Sequence, residues 1–184
     1  MQLLMIRHGE ILSNVKKIYA GTSDEGLTEK GVIQAKQVAD KLKNYKIHSL
    51  YTSPVKRAFE TAIIIGKVID KESIVDTAFR EMKMGPWEGL SESEVAQMYY
   101  EDWNTWNNRP AELRLPGRET LAELRDRVLK GIRGISRETI NHNVVIVTHV
   151  AIIRVLVLWH SGRSLNLYKT IHVPNADIFE INIS

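Results

Sequence analysis

The chain has 184 residues, 43% of them hydrophobic and 26% charged, with a formal net charge of +3 at neutral pH. That is the profile of an ordinary folded domain able to bury a substantial core, and the scattered lysines and arginines form no stripe of the kind nucleic acids need. Cysteine is absent, which excludes disulfides, thiol catalysis and zinc–cysteine sites. No apolar run approaches the ~20 residues of a membrane span, and the start does not read as a signal peptide, so the cytoplasm is the expected compartment.

The first element is the apolar run Leu3–Ile6, a buried strand that ends in Arg7-His8-Gly9-Glu10. Residues 7–26 read as a polar loop. Thr28 opens a helix to about Lys43, with Val32, Ala35, Val38, Ala39 and Leu42 on one face. Ile47–Tyr51 is a second strand. Ser53 and Pro54 suit the N-cap and first position of a second helix. Strand–helix–strand–helix order predicts parallel strands with crossover helices, an α/β fold. Residues 79–90 form a loop carrying Glu81, Trp87 and Glu88. Ser91 and Glu94 make a capping box for a helix whose Val95, Tyr99, Trp103 and Trp106 fall at helical spacing. Residues 107–119 read as a loop. Thr120 and Glu123 cap a long helix to about Glu138, and a strand at Val144–Val147 ends in Thr148-His149. An apolar helix over about 150–159 and a last strand within 177–183 complete the chain. No repeat or linker divides it, so one domain over 1–184 is expected, with a cap insertion at about 82–118.

Arg7, His8, Arg57 and His149 all follow strands, so a parallel sheet delivers them to its carboxyl edge, where open α/β sheets bind ligands. Two guanidiniums and two imidazoles there suit a phosphate dianion, helped by helix N-termini. Phosphoryl transfer needs an in-line nucleophile, neutralised equatorial oxygens and a proton for the leaving oxygen. An imidazole can supply the nucleophile and a carboxylic acid of raised pKa the proton; Glu81 and Glu88 are both placed for the second task. No magnesium-binding pattern is evident, so arginines are expected to neutralise the charge, with no metal and no cofactor.

The ordered set Arg7-His8-Gly9-Glu10 with Asn14, Gly21 to Gly31, Ser53-Pro54 with Arg57 and Thr61, Glu81 with Trp87-Glu88-Gly89, Pro116-Gly117, and Thr148-His149 with Arg154 resembles the histidine phosphatase superfamily, also called the phosphoglycerate mutase-like family. The resemblance spans nearly the whole chain. It implies a three-layer α/β/α sandwich, mostly parallel, with a small cap. It also implies that His8 is the nucleophile and forms a phosphohistidine, that Arg7, Arg57 and His149 hold the phosphoryl group, and that Asn14 adds a hydrogen bond. Glu81 would be the proton donor. Thr22 and Val150 would lie on the substrate side.

Three positions depart from the family pattern: Val150 and Arg118 stand where glycine is common, and Ile11 where threonine is common. The implied activity is hydrolysis of a small phosphomonoester, with α-ribazole phosphatases or broad-specificity relatives as the nearest type. A phosphoglycerate mutase is the alternative, disfavoured by the shortness of the chain, and a non-catalytic phosphate-binding module is the reading from another class. The Tyr99–Trp103–Trp106 stripe reads as core or as the wall of the cap. Arg114 and Arg118 read as solvated, or as facing a second anionic group of the substrate. His48, His142, His160 and His172 lack metal-ligand spacing. Neither a nucleic acid nor a membrane is an expected partner, and the oligomeric state, a homodimer being one option, is not readable.

Overall fold

The computed structural model describes residues 1–136, 139 and 141–183. A five-stranded sheet forms its centre, built from β1 (Gln2–Arg7), β2 (Ile47–Thr52), β3 (Ser73–Val75), β4 (Asn143–Thr148) and β5 (Ile178–Asn182). The order is β3-β2-β4-β1-β5; β1, β2, β3 and β4 run parallel and β5 is antiparallel beside β1. Parallel strands covered on both faces read as continuous apolar runs rather than alternating ones. Leu3, Leu4, Met5 and Ile6 accordingly are all inaccessible to solvent.

Alternation survives in which face each residue enters. Leu3, Met5, Val144 and Ile146 join a core with the helices α6 (Leu121–Ser136) and α7 (Val150–His160). Leu4, Ile6, Val145 and Val147 join a second core with α2 (Glu29–Leu42) and α3 (Lys56–Ile69). This is the layered arrangement expected from the sequence. The register pairs Arg7 with Thr148 across β1 and β4, so the residues that follow these two strands leave the sheet side by side.

Several local expectations change. The loop 7–26 contains a short helix, α1 (Leu12–Lys16). The third helix starts at Lys56 with Val55 as N-cap, not at Ser53; the Ser53 hydroxyl accepts the Val55 N–H and faces His149 instead. The helix expected from Ser91 through Trp106 is broken at Tyr99 (φ −132°, ψ 47°) into α4 (Glu92–Met98) and α5 (Tyr100–Asn108). The Ser91–Glu94 capping box is formed. Strand β3 and the 3₁₀ turn Leu165–Thr170 were not foreseen. The end expected for α6 at Glu138 lies outside the described residues.

Candidate active site

Gly9 leaves β1 against the start of α2. A Cβ on Gly31 would lie 2.2 Å from the Glu10 carbonyl oxygen, and one on Gly9 would lie 2.4 Å from the Gly31 carbonyl oxygen. Only two glycines permit this approach, and it turns the chain so that His8 faces the carboxyl edge of the sheet. The His8 N–H is held by the Thr148 carbonyl at 2.9 Å. Asn175 donates to the His8 carbonyl at 3.0 Å, and the Ala176 N–H donates to the Arg7 carbonyl at 2.9 Å. The backbone of the nucleophile candidate is thus fixed from three sides.

The His8 ring is equally constrained. Its Nδ1 lies 2.7 Å from the Gly9 carbonyl, which can only accept, so Nδ1 carries the proton. Arg57 Nε donates to His8 Nε2 at 3.2 Å, which requires a lone pair there. Burial, then Arg57 and Arg7, hold the His8 imidazolium well below the usual histidine pKa. The outcome is a neutral imidazole with its nucleophilic nitrogen unprotonated.

Arg57 is itself held by the loop after α1, with Nη2 donating to the Gly21 carbonyl at 2.6 Å and Nη1 to that of Ser23 at 3.3 Å. Arg7 Nη1 donates to the Val173 carbonyl at 2.6 Å, and its Nε is buried without a protein acceptor. Burial lowers the Arg7 pKa to about 10. Asn14 Oδ1 accepts from Asn175 and Ile11, which leaves its amide nitrogen as the edge available to a ligand.

His149 is fully buried as the N-cap of α7, its ring centroid 5.3 Å from that of His8. Its Nε2 lies 2.7 Å from Ser53 Oγ. That oxygen also accepts the Val55 N–H at 3.1 Å. His149 Nδ1 has no protein partner and lies 3.9 Å from Glu81 Oε2. Burial, then the charge of Arg57, holds the His149 pKa well below its usual value.

Glu81 and Glu88 separate clearly. Glu81 is buried, its Oε1 accepting the Met82 N–H at 2.9 Å, and burial outweighs the nearby arginines to raise its pKa. Glu88 is exposed and accepts from the Thr22 N–H at 2.6 Å and the Thr22 hydroxyl at 3.0 Å. Thr22 is exposed and does not line the cavity, and neither does the fully buried His149, whereas Arg7, His8, Asn14, Arg57, Glu81 and Val150 do.

A cavity of about 320 Å³ opens at this edge, lined by Arg7, His8, Asn14, Arg57, Glu81 and Val150. Val150 is the first residue of α7 and is not among the residues of positive φ, so the position common for glycine in the family accepts a β-branched residue without strain. The other wall was missed by sequence reasoning as a unit: Tyr19, Glu92, Trp106, Arg154, Tyr168 and Lys169 also line the cavity. Arg114 is exposed as expected. Arg118 is not solvated: it is 7% exposed, its guanidinium 4.2 Å from the Trp106 ring centroid and 5.2 Å from that of Trp87. The tryptophans in 85–108 were the available signal, since an arginine beside them stacks readily.

A doubly covered, mostly parallel sheet thus presents a neutral imidazole, a buried and a half-buried guanidinium and a buried carboxyl of raised pKa at its carboxyl edge, groups able to bind a phosphate. Residues 3–184 match the histidine phosphatase superfamily (branch 1), and the chain belongs to that family. It is 30% identical to "Phosphoserine phosphatase 1" of Hydrogenobacter thermophilus over all of this chain and 87% of the relative. It is 38% identical to a "2,3-bisphosphoglycerate-dependent phosphoglycerate mutase" of Thermoplasma acidophilum over 98% of this chain and 86% of the relative. Among solved structures, Bacillus stearothermophilus YhfR superposes with a TM-score of 0.93 at 26% identity, covering all of this chain and 91% of the other. The family and its phosphatase-named members make the protein a histidine phosphatase. Among the described residues, no helix is long and apolar enough to cross a membrane.

Proposed function

We propose that His8, Arg7, Arg57, His149 and Glu81 carry out the hydrolysis of a small phosphomonoester, with Asn14 and the N–H groups at the start of α7 completing the phosphate cradle. The lone pair of His8 Nε2 attacks phosphorus; the P–N bond forms as the ester P–O bond breaks, and Glu81 gives its proton to the departing alkoxide. Water then attacks the phosphohistidine and gives its proton to the Glu81 carboxylate. The P–N bond breaks, and its electron pair returns to Nε2. Arg7 and Arg57 neutralise the equatorial oxygens throughout, so no step is assigned to a metal. The segment 82–118 serves as the cap.

The observation that carries this reading is the fixed tautomer of His8, proton on Nδ1 and lone pair on Nε2. The test is release of phosphate from p-nitrophenyl phosphate in EDTA. The wild type hydrolyses it and forms an acid-labile phosphoprotein, and His8→Ala does neither. Undiminished hydrolysis by His8→Ala overturns the assignment.

A phosphoglycerate mutase remains the second reading, favoured by the archaeal relative at 38% identity. That relative matches over 86% of its own length, so the shortness of this chain does not separate the two activities. Interconversion of 2- and 3-phosphoglycerate primed by 2,3-bisphosphoglycerate, measured beside phosphate release, does.

A further inference from the structure

The cavity wall made by α7 and the 3₁₀ turn Leu165–Thr170 carries charge that the phosphoryl reaction does not use. Four cations line the cavity, Arg7, Arg57, Arg154 and Lys169, against two carboxylates, Glu81 and Glu92. A phosphate dianion satisfies Arg7 and Arg57, and Glu81 must hold a proton when it acts as the acid. Arg154 and Lys169 then face one carboxylate between them, Glu92, which is exposed and sits 3.8 Å from Lys169. One positive charge is left over for the rest of the substrate.

The unused cations are built in rather than free to swing. Arg154 Nε donates to the Ile171 carbonyl at 2.9 Å, and its guanidinium lies 4.9 Å from the Tyr168 ring centroid. Lys169 donates to Asn107 Oδ1. Tyr168 continues to Trp106 at 5.0 Å between centroids, and behind Trp106 lies Arg118. Arg118 Nε and Nη2 are buried with no protein acceptor. Its Nη1 donates to the Glu119 carbonyl at 3.4 Å, and the guanidinium stands against Trp106, a residue that lines the cavity. Arg7 Nε, on a residue that lines the cavity, and His149 Nδ1, 3.9 Å from Glu81 Oε2, are also buried without a protein partner.

Resting on the hydrolase reading above, we infer that the departing alcohol carries a carboxylate, held by Arg154 and Lys169 on the cavity wall with Arg118 reinforcing the positive potential behind Trp106. A neutral leaving group, sugar or nucleoside-like, leaves this charge unanswered.

Two pairs of esters that differ by the carboxylate alone test it: O-phosphoserine against O-phosphoethanolamine, and 3-phosphoglycerate against ethylene glycol phosphate. Phosphate release gives kcat/KM for each. The wild type favours the carboxylated member of both pairs by about 10- to 100-fold, the range of a charged hydrogen bond. Arg154→Met and Lys169→Met each bring that ratio down by about tenfold or more. Arg118→Met lowers it too, whereas Arg118→Lys, which keeps the charge, retains it; a purely structural role for Arg118 would not distinguish the two within a matched pair. Equal rates within both pairs for the wild type overturn the carboxylate inference and leave the phosphatase reading intact, and this comparison needs no variant to fold. Failure of the wild type to hydrolyse any of the four esters or p-nitrophenyl phosphate overturns both.

Discussion

At the scale of single residues, the site is a set of protonation states fixed by neighbours. His8 is neutral because it is buried beside two guanidiniums, and its proton is confined to Nδ1 by the Gly9 carbonyl. Glu81 is biased toward the acid because burial outweighs the attraction of Arg57 and Arg7. A nucleophile that stays unprotonated and an acid that stays protonated are what the first half of a phosphoryl transfer requires. Replacing the acid separates the two roles. With Glu81→Gln, hydrolysis of an alkyl phosphate falls by about 10²- to 10⁴-fold, the usual worth of general acid catalysis. Hydrolysis of p-nitrophenyl phosphate, whose leaving group departs without a proton, loses far less in the phosphorylation step. Single-turnover phosphorylation of His8 by the two esters checks this, and an equal loss on both excludes Glu81 as the proton donor.

At the scale of elements, the site depends on how closely the chain can turn after β1. The Gly9–Gly31 contact draws the N-terminal turn of α2 against the loop that carries His8. There the Thr28 hydroxyl caps α2 by accepting the Gly31 N–H at 3.0 Å. Gly31→Ala places a methyl group 2.2 Å from a backbone oxygen that cannot rotate away. The expected cost is about 1–3 kcal/mol of stability, with a disproportionate fall in turnover as His8 shifts against Arg57. Urea unfolding and kcat together test it; a Gly31→Ala protein of wild-type stability would show that the contact relaxes freely. The sequence exposes this scale unevenly. Leu3–Ile6 and Val144–Val147 are unmistakable as strands because both faces of the sheet are covered. The edge strand Ser73–Val75 has three residues and a half-exposed Val75, so it leaves no apolar run to read. Arg7, His8, Arg57 and His149 are legible because each follows a strand or opens a helix. The Arg154–Tyr168–Lys169 wall is not, since only the packing of the Leu165–Thr170 turn on α7 brings those residues to the cavity. Arg118 deceives for the same reason, because an arginine in a Pro-Gly loop reads as solvated until two tryptophans enclose it.

At the scale of the whole molecule, the site makes stability depend on pH in two opposing ways. His8 and His149 resist protonation when folded, but the unfolded chain takes up these protons near pH 6.5. Below that pH the unfolded state binds more protons, and the fold weakens as the solution is acidified. Glu81 acts with the opposite sign. Its folded pKa is raised above the unfolded value of about 4.5, so the native state keeps a proton that the unfolded chain releases. Stability is therefore lost as pH rises from the unfolded pKa of Glu81 through its folded one. Glu81→Gln removes this second effect alone, because glutamine stays neutral in both states. Other titrating groups are shared with the wild type and cancel in the difference. Relative to the wild type, Glu81→Gln should gain stability as pH rises from the unfolded pKa of Glu81 to its folded one, by about 1.4 kcal/mol for each unit that burial has displaced it. The difference should be flat below pH 4. Denaturant unfolding of both proteins between pH 4 and pH 8 measures that difference directly. The pH at which it levels off is the pKa at which the folded proton donor loses its proton, and the alkaline limb of kcat/KM on an alkyl phosphate, which reports the free enzyme, should fall at that same pH. If the difference does not vary with pH, the Glu81 carboxyl titrates normally and cannot remain protonated as the acid the reaction needs.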